Sequence, residues 1–160
     1  MHLSKMVPVP DHDAIMLPTM KRWQLKLFTR LHVLLHRLSF GRFFNSLAGD
    51  EVCFVTMKGA KTARTITLPL MYVPYQNGVL LVASQGGAQR NPAWYFNLVK
   101  TPDIKVSHRG KKMTLRARIA TADEKPDLWP ICDQRYAPYA DYRARTSRDI
   151  PIFACEPVTA

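Results

Sequence analysis

From residue 50 onward, apolar and polar residues alternate in short runs that are separated by turn residues. The alternation is clearest in residues 112–121, where Met113 and Leu115 fall on one side of the chain and Thr114 and Arg116 on the other. A period of two is typical of a half-buried β-strand. Runs of this kind, bounded by Gly, Pro, Asn or Asp, predict six strands at residues 51–57, 65–73, 78–84, 104–109, 112–121 and 150–156.

Two short turn sequences indicate how these strands pair. Asn77 and Gly78 stand between two β-rich runs, and Arg109 and Gly110 stand between two others. Such dipeptides favour tight hairpins, because the turn needs residues that tolerate a positive φ. Hairpins build antiparallel sheets, and six strands are enough to close a small barrel. We therefore predict an α+β, mainly β fold with a six-stranded antiparallel barrel in residues 49–160.

The residues before this region follow a different pattern. Residues 1–19 contain Pro8, Pro10 and Pro18 without any periodicity, which is typical of a flexible leader. Residues 20–48 predict an amphipathic basic helix, whose apolar stripe consists of Leu27, Phe28, Leu31, Leu34, Leu35 and Leu38. Such a helix packs on its own domain, lies on an anionic membrane surface or is shared across a dimer, and the pattern leaves all three open.

A further helical region is expected between the fifth and sixth strands. Thr121 followed by Glu124 fits a capping box, and Pro126 stands early enough in the helix to be tolerated. Pro130 removes an N–H group from the helix interior. We therefore expect a bend at Pro130 and a second helical stretch over residues 139–146.

Composition narrows the class of protein. The chain has 160 residues and a formal net charge of +11 at pH 7, which implies an anionic partner without naming it. No stacking motif or recognition helix points to nucleic acid. The three cysteines include no Cys-x-x-Cys pair, so they predict small buried side chains in a reducing compartment, and no metal site. With no secretory signal or membrane-spanning run expected, we predict one cytoplasmic domain.

The segment 84–97 carries the clearest indication of a binding site. Gly86 and Gly87 follow the apolar run 79–83, where a buried strand ends and where backbone without a Cβ can approach a ligand closely. The same residues fit an ordinary turn that leads into a helix with Pro92 in its first turn. Composition alone leaves a cofactor loop and a structural turn open.

A short basic loop is expected between the first two strands. Lys58, Lys61 and Arg64 flank Gly59 there, so their cationic ends and the N–H groups of the loop can converge on a phosphate. A solvated charged turn is the alternative. The spacing does not match that of a nucleotide-triphosphate loop.

Three tyrosines, Tyr136, Tyr139 and Tyr142, recur at every third residue. In a helix this spacing spreads them over about 120° of one side. Phenol rings offer apolar faces to a flat aromatic substrate, and their hydroxyls can hold an oxygen on which negative charge develops. An aromatic ladder that only closes the fold explains the spacing equally well.

Taken in order, four segments resemble the deazaflavin-dependent nitroreductase family, the coenzyme F420-dependent reductases. The segments are the basic loop at 56–62, the Thr-x-Pro-Leu strand at 67–70, the loop and helix at 84–97, and the tyrosine cluster with the last strand at 136–151. The resemblance implies the split β-barrel of flavin-binding reductases. It also implies coenzyme F420, an 8-hydroxy-5-deazaflavin, as the cofactor.

The family's activity would be transfer of a hydride from reduced coenzyme F420 to a quinone, nitroaromatic or other activated acceptor. The resemblance implies that Tyr136, Tyr139, Tyr142 and Ser84 take part in catalysis, and that Met71 and the tyrosines contact substrate. The residues that it implies for cofactor binding are Lys58, Gly59, Lys61, Thr62, Arg64, Thr67, Pro69, Ser84, Gln85, Gly86, Gly87, Asn91, Pro92 and Trp94.

The chain departs from the family pattern at two positions, with Ala63 where many members have Gly and Ile66 where they have Arg. An isoleucine cannot replace the donors of a guanidinium. The alternatives are therefore a non-catalytic deazaflavin carrier and an FMN-dependent reductase of the same fold. Expected partners are a small-molecule acceptor, an anionic surface at the inner membrane face for residues 20–48, and a second copy of the chain in a homodimer.

Overall fold

The predicted strands become one antiparallel sheet in the computed structural model, which describes residues 46–47 and 50–158. The eight strands of this part of the chain are β1 (Ser46–Leu47), β2 (Asp50–Lys58), β3 (Thr65–Met71), β4 (Val73–Tyr75), β5 (Gly78–Val82), β6 (Asp103–His108), β7 (Lys111–Ile119) and β8 (Ile152–Pro157). Its helices are α1 (Ala93–Lys100), α2 (Lys125–Arg135) and α3 (Pro138–Ala144), with a 3-10 turn at Gln85–Gly87. The prediction of a mainly β, antiparallel fold is confirmed.

The strand count differs from the prediction, because the described residues form eight strands rather than six. One added strand is the two-residue β1, which pairs with the start of β2. The other arises because the predicted strand at 65–73 divides at Tyr72 and then continues to Tyr75. On either side of Tyr72 the chain pairs with different neighbours, since β3 pairs with β2 and β4 pairs with β5.

This change of partner joins the two ends of the sheet. The strands pair in the order β1-β2-β6-β7-β8-β5-β4, and β3 pairs with β2. Strand β4 ends this order, and only Tyr72 separates it from β3. Because β3 pairs with β2, the two ends of the order are connected and the strands form a ring. The covalent chain at Tyr72 thus closes the ring, while within the described residues β3 and β4 each pair along one edge only.

Side chains on the two faces of β5 enter two different apolar cores. Val79 and Leu81 lie in a core inside the ring of strands, together with Phe153. Leu80 and Val82 lie in a second core, which contains Leu128 of α2 and Tyr139 of α3. Successive residues of a strand point to opposite faces, so a strand between two cores is apolar throughout. This is why the run 79–83 shows no alternation.

The three cysteines are buried and none of them forms a disulfide. Cys53 and Cys155 lie in the core inside the ring, and Cys132 lies in the second core. Burial raises the pKa of the Cys53 and Cys132 thiols to about 12, and it also raises the pKa of Cys155. The thiols therefore behave as small apolar side chains, as predicted.

Pro130 does not divide the helical segment, since α2 runs without interruption from Lys125 to Arg135. The N–H that Pro130 lacks would have bonded to the carbonyl of Pro126 in the first turn, so one hydrogen bond is lost close to the helix end. The chain leaves the helix at Tyr136, where φ is −148°. The capping contact is confirmed in part, because the Thr121 N–H donates to the Glu124 carboxylate over 2.7 Å.

Most of the predicted leader at 1–19 and of the predicted helix at 20–48 lies outside the described residues. Within the second range, Ser46 and Leu47 form strand β1. In the described part of the chain, no helix has both the length and the apolar character needed to cross a membrane.

Candidate functional site

A pocket of about 270 Å³ lies where the end of β5 meets β3, the start of α1 and helix α3. It brings together residues from both halves of the chain. Its lining consists of Val52, Pro69, Leu70, Met71, Val82, Ser84, Gln85, Gly86, Pro92, Trp94, Tyr136, Tyr139 and Tyr142. Most of the residues predicted to meet a flat ring or its acceptor therefore share one pocket.

One wall of this pocket is the 3-10 turn that follows β5. Gln85, Gly86 and Gly87 have φ values of 49°, 64° and 80°, a left-handed conformation that glycine adopts without steric cost. The N–H groups of Gly87 and Ala88 bond back to the carbonyls of Ser84 and Gln85. Within the described residues, the N–H groups of Gln85 and Gly86 donate to no backbone carbonyl. Successive free amides in such a turn can hold an electron-rich group of a ligand.

Gly87 lets this turn lie directly against α3. A Cβ added at Gly87 would stand 2.8 Å from the carbonyl oxygen of Tyr142 and 3.0 Å from Cβ of Arg145. Real Cβ atoms do not approach backbone so closely. Only glycine at this position therefore allows the turn to pack directly on the tyrosine helix α3.

The three tyrosines form one aromatic cluster, which also lines the pocket. Ring centroids are 5.0 Å apart for Tyr136 and Tyr139, and 6.3 Å apart for Tyr139 and Tyr142. The hydroxyls of Tyr136 and Tyr142 are hydrogen-bonded to each other at 3.1 Å. Burial raises the pKa of Tyr136 and Tyr139 above the ordinary value, so both phenols stay neutral.

Tyr139 differs from its neighbours because its hydroxyl bonds to no residue in the described part of the chain. Its side chain is only 3% exposed. Among the described residues, however, no fully buried side-chain oxygen or nitrogen lacks a hydrogen-bond partner. The Tyr139 hydroxyl is therefore not fully buried, and Tyr139 lines the pocket. This leaves one neutral phenol free to donate to a ligand.

An ion-pair cluster fixes the end of α2, next to Tyr136. The guanidinium of Arg135 pairs with the carboxylate of Glu51 and donates from Nε to the carbonyl oxygen of Tyr72 over 3.0 Å. Glu51 also meets Nε2 of His108 at 3.0 Å. These contacts attach the end of α2 to the point where β3 gives way to β4.

Helices α2 and α3 are joined by a second arginine. Arg143 forms two hydrogen bonds to the carboxylate of Asp133, of 2.8 and 2.6 Å, and its guanidinium lies 4.0 Å from the centre of the Trp129 ring. A paired Arg–carboxylate contact of this kind is directional. It holds α3, and with it Tyr139 and Tyr142, at a fixed angle to α2.

The predicted basic loop does not line this pocket but lies beside the other end of α1. The N–H of Ala60 donates to Oδ1 of Asn97 over 2.9 Å, and Nζ of Lys100 donates to the Ala60 carbonyl over 2.7 Å. Lys61 and Arg64 are exposed. Trp94 lines the pocket, and the three residues to Asn97 advance about 4.5 Å along the helix axis. Helix α1 therefore places the basic loop within a short reach of the pocket.

The remaining predicted residues do not line the pocket: Thr67 lies on β3, and Lys58, Gly59 and Thr62 belong to the basic loop. Oγ1 of Thr67 pairs with Oγ1 of Thr56 at 2.9 Å on β2. Lys58 donates to Thr65 at the start of β3, and Thr62 accepts from the N–H of Arg64. A Cβ added at Gly59 would stand 3.1 Å from Cδ1 of Ile66, so Gly59 allows the loop to close on β3.

The two departures from the family pattern have different structural settings. Ala63 has a φ of 55°, which lies in the left-handed region. Glycine adopts this conformation without a steric penalty, whereas alanine carries a backbone strain of about 1 kcal/mol there. Ile66 packs against the core inside the ring, and its Cδ1 lies next to Gly59 of the basic loop. Arg64 stands in the loop just before β3.

Sequence reasoning missed Arg148, which holds the turn from behind. Its guanidinium donates to the carbonyls of Ala83, Ser84 and Ala88 and to Oδ1 of Asn91. No sequence pattern identifies an arginine whose acceptors lie about sixty residues away along the chain. Val52, Leu70 and Val82 were also missed, because apolar strand residues of a pocket wall look like core residues.

Comparison with known proteins gives consistent results. The model of the F420H(2)-dependent quinone reductase family matches residues 28–157. An F420H(2)-dependent quinone reductase of Mycobacterium tuberculosis strain H37Rv is 34% identical over 128 residues, which are 77% of this chain and 85% of the relative.

Two solved structures extend this similarity to the fold. An F420-H2 dependent reductase, FDR-A, has a TM-score of 0.61 and 36% identity, and the match covers 66% of this chain and 93% of that chain. A structure described as a domain-swapped dimer has a TM-score of 0.64 and 30% identity, covering 79% and 97%. The predicted resemblance is confirmed: the chain belongs to the F420H(2)-dependent quinone reductase family, a family of oxidoreductases whose cofactor is coenzyme F420.

Proposed function

We propose that this protein reduces a quinone by hydride transfer from reduced coenzyme F420, and that nitroaromatic compounds are further acceptors. The observation that carries the proposal is that the 3-10 turn and the tyrosine helix line the same pocket. In the turn, the N–H groups of Gln85 and Gly86 are available to a ligand. In the helix, Tyr139 offers a neutral hydroxyl.

The residues present fit the coenzyme. Pro69, Met71 and Trp94 provide apolar surface for a flat ring, and a pocket of about 270 Å³ is near the lower end of the common range of about 300 to 1,000 Å³. The free amides suit the carbonyl and nitrogen atoms of such a ring. Lys61 and Arg64, at the other end of α1, suit the phosphate and the acidic tail.

When bound, the reduced coenzyme supplies the hydride, so the protein needs no nucleophile of its own. The chain's own residues bind, orient and stabilise charge. The pocket holds the acceptor against the ring in a fixed orientation, which lowers the entropic part of the barrier. The Tyr139 hydroxyl donates to the acceptor oxygen as negative charge develops on it. Ser84 lines the same pocket and is a second candidate for delivering the proton.

The direct test mixes purified protein with reduced coenzyme F420 and menadione and follows the absorbance of the oxidised coenzyme. We expect oxidation that saturates with both substrates and exceeds the rate without protein. Tight binding without turnover over a panel of quinones and nitroaromatics would instead indicate a deazaflavin carrier. A preference for FMN in parallel titrations would overturn the choice of cofactor.

The basic loop gives a second test. Replacing Lys61 with alanine is expected to weaken binding of coenzyme F420 about tenfold, the effect of losing one charge-assisted contact to phosphate. Lys111→Ala, which removes an exposed lysine from the β6–β7 hairpin, is the control and should bind as the wild type does. The phosphate-free deazaflavin riboside should bind both variants equally. If Lys61→Ala weakened binding of the riboside as much as it weakened binding of coenzyme F420, a phosphate contact at Lys61 would be contradicted.

A further inference from the structure

The side chain of Arg148 makes five hydrogen bonds, all of them to the segment that forms the pocket turn. Nη1 and Nη2 both donate to the carbonyl oxygen of Ala83 at 3.2 Å, and Nη2 also donates to that of Ser84 at 2.9 Å. Nε donates to the Ala88 carbonyl at 3.1 Å, and Nη1 donates to Oδ1 of Asn91 at 2.5 Å. One side chain therefore ties together the start of the turn, its end and the approach to α1.

These contacts orient the amides of the turn. In a trans peptide the C=O and N–H groups point in opposite directions. Because the carbonyls of Ala83 and Ser84 point at Arg148, the N–H groups of Ser84 and Gln85 point away from it. Ser84 and Gln85 line the pocket, whereas Arg148 does not. By holding the carbonyl groups on the side away from the pocket, the guanidinium fixes the direction of the N–H groups that a ligand in the pocket would meet.

The charge of Arg148 is not neutralised by its own acceptors, since all of them are neutral oxygens. The neighbouring carboxylate of Asp149 is held by Nζ of Lys125 at 2.5 Å. Burial lowers the pKa of Arg148, yet the guanidinium keeps its proton at all ordinary pH values. A partly buried positive charge thus stands behind the turn, where it favours an electron-rich ligand at the pocket side of the turn.

We propose that Arg148 is a positioning residue for the deazaflavin ring, acting through the backbone amides of Ser84 and Gln85. This inference rests on the proposed function, because it assigns the pocket turn to the cofactor. Lysine cannot replace the arginine, since a single ammonium cannot span acceptors that lie on both sides of the turn.

The test compares Arg148→Lys, Arg148→Ala and the control Arg118→Ala. Arg118 joins Glu124 to Glu156 away from the pocket, so its loss reports on a structural arginine with no link to the turn. We expect Arg148→Lys to raise the Kd of coenzyme F420 and the KM of its reduced form about tenfold, with the KM of menadione unchanged. Arg148→Ala should show a larger loss, which millimolar guanidinium chloride partly restores. Arg118→Ala should bind as the wild type does.

Two results would overturn the role of Arg148 while leaving the proposed function intact. One is a wild-type Kd in Arg148→Lys together with a lowered melting temperature. The other is a weakening of binding in Arg118→Ala that matches the Arg148 variants at equal loss of stability. If Arg148→Ala does not fold, Arg148→Lys alone decides between these outcomes. Failure of the proposed function is a different result, since the wild-type protein itself would then neither bind nor oxidise the reduced coenzyme.

Discussion

Replacing Gly87 with alanine is expected to lower the free energy of unfolding by about 2 to 5 kcal/mol and to weaken binding of coenzyme F420 at the same time. The added Cβ would meet the Tyr142 carbonyl at 2.8 Å, and φ is 80°. Left-handed strain accounts for about 1 to 2 kcal/mol and forced overpacking for about 1 to 3 kcal/mol. Denaturant unfolding measures the first effect, and fluorescence titration with the coenzyme measures the second.

Gly86 provides the matched control for stability. It has a φ of 64°, but a Cβ added there would have no atom of the protein within 4 Å. Gly86→Ala should therefore cost only the backbone strain, about 1 kcal/mol. Equal losses of stability in the two variants would show that the contact between the turn and α3 is unimportant.

Replacing Tyr139 with phenylalanine is expected to lower kcat for quinone reduction by about 100- to 1,000-fold, with little change in the KM of the reduced coenzyme. This range is typical of losing one donor that meets charge developing in the transition state. Stability should change by less than about 1.5 kcal/mol, because the ring is kept and the hydroxyl has no partner among the described residues. Steady-state kinetics with menadione and thermal melts measure the two quantities.

Tyr136→Phe is the comparison for this variant, since the Tyr136 hydroxyl is already engaged with that of Tyr142. We expect a smaller loss of kcat there. Burial raises the pKa of Tyr139, so the phenol keeps its proton at and above the ordinary tyrosine pKa of about 10. Ionisation of Tyr139 should therefore cause no fall in rate below about pH 10. Wild-type kinetics in Tyr139→Phe would remove this hydroxyl from the mechanism.

Local sequence patterns were sufficient to predict the parts of the site that depend on a few adjacent residues. The apolar run 79–83 and the glycines after it predicted a buried strand and a turn open to close approach, because both properties follow from residue type. The spacing of Tyr136, Tyr139 and Tyr142 predicted one aromatic face for the same reason. Their joint contribution to one pocket came from family resemblance, since sequence spacing does not determine which segments meet.

What could not be predicted depends on partners that are remote along the chain. The strand predicted at residues 65–73 divides at Tyr72 because its two parts pair with different strands, and no residue type marks such a change. Helix α2 continues past Pro130 because its apolar residues Leu128 and Cys132 are buried on the sheet, which outweighs a local breaker. Arg148 takes its role from carbonyl groups whose positions exist only in the folded chain.

Quinones are electrophiles that alkylate protein thiolates by Michael addition, a hazard for any enzyme that binds them. The thiolate is the reactive form, and it is scarce where burial raises the pKa of the thiol. All three cysteines of this chain lie in apolar cores with raised pKa values, on strands and a helix behind the pocket walls. The folded protein therefore offers no nucleophilic sulfur to the compounds that it reduces, and covalent inactivation would first require the cores to open.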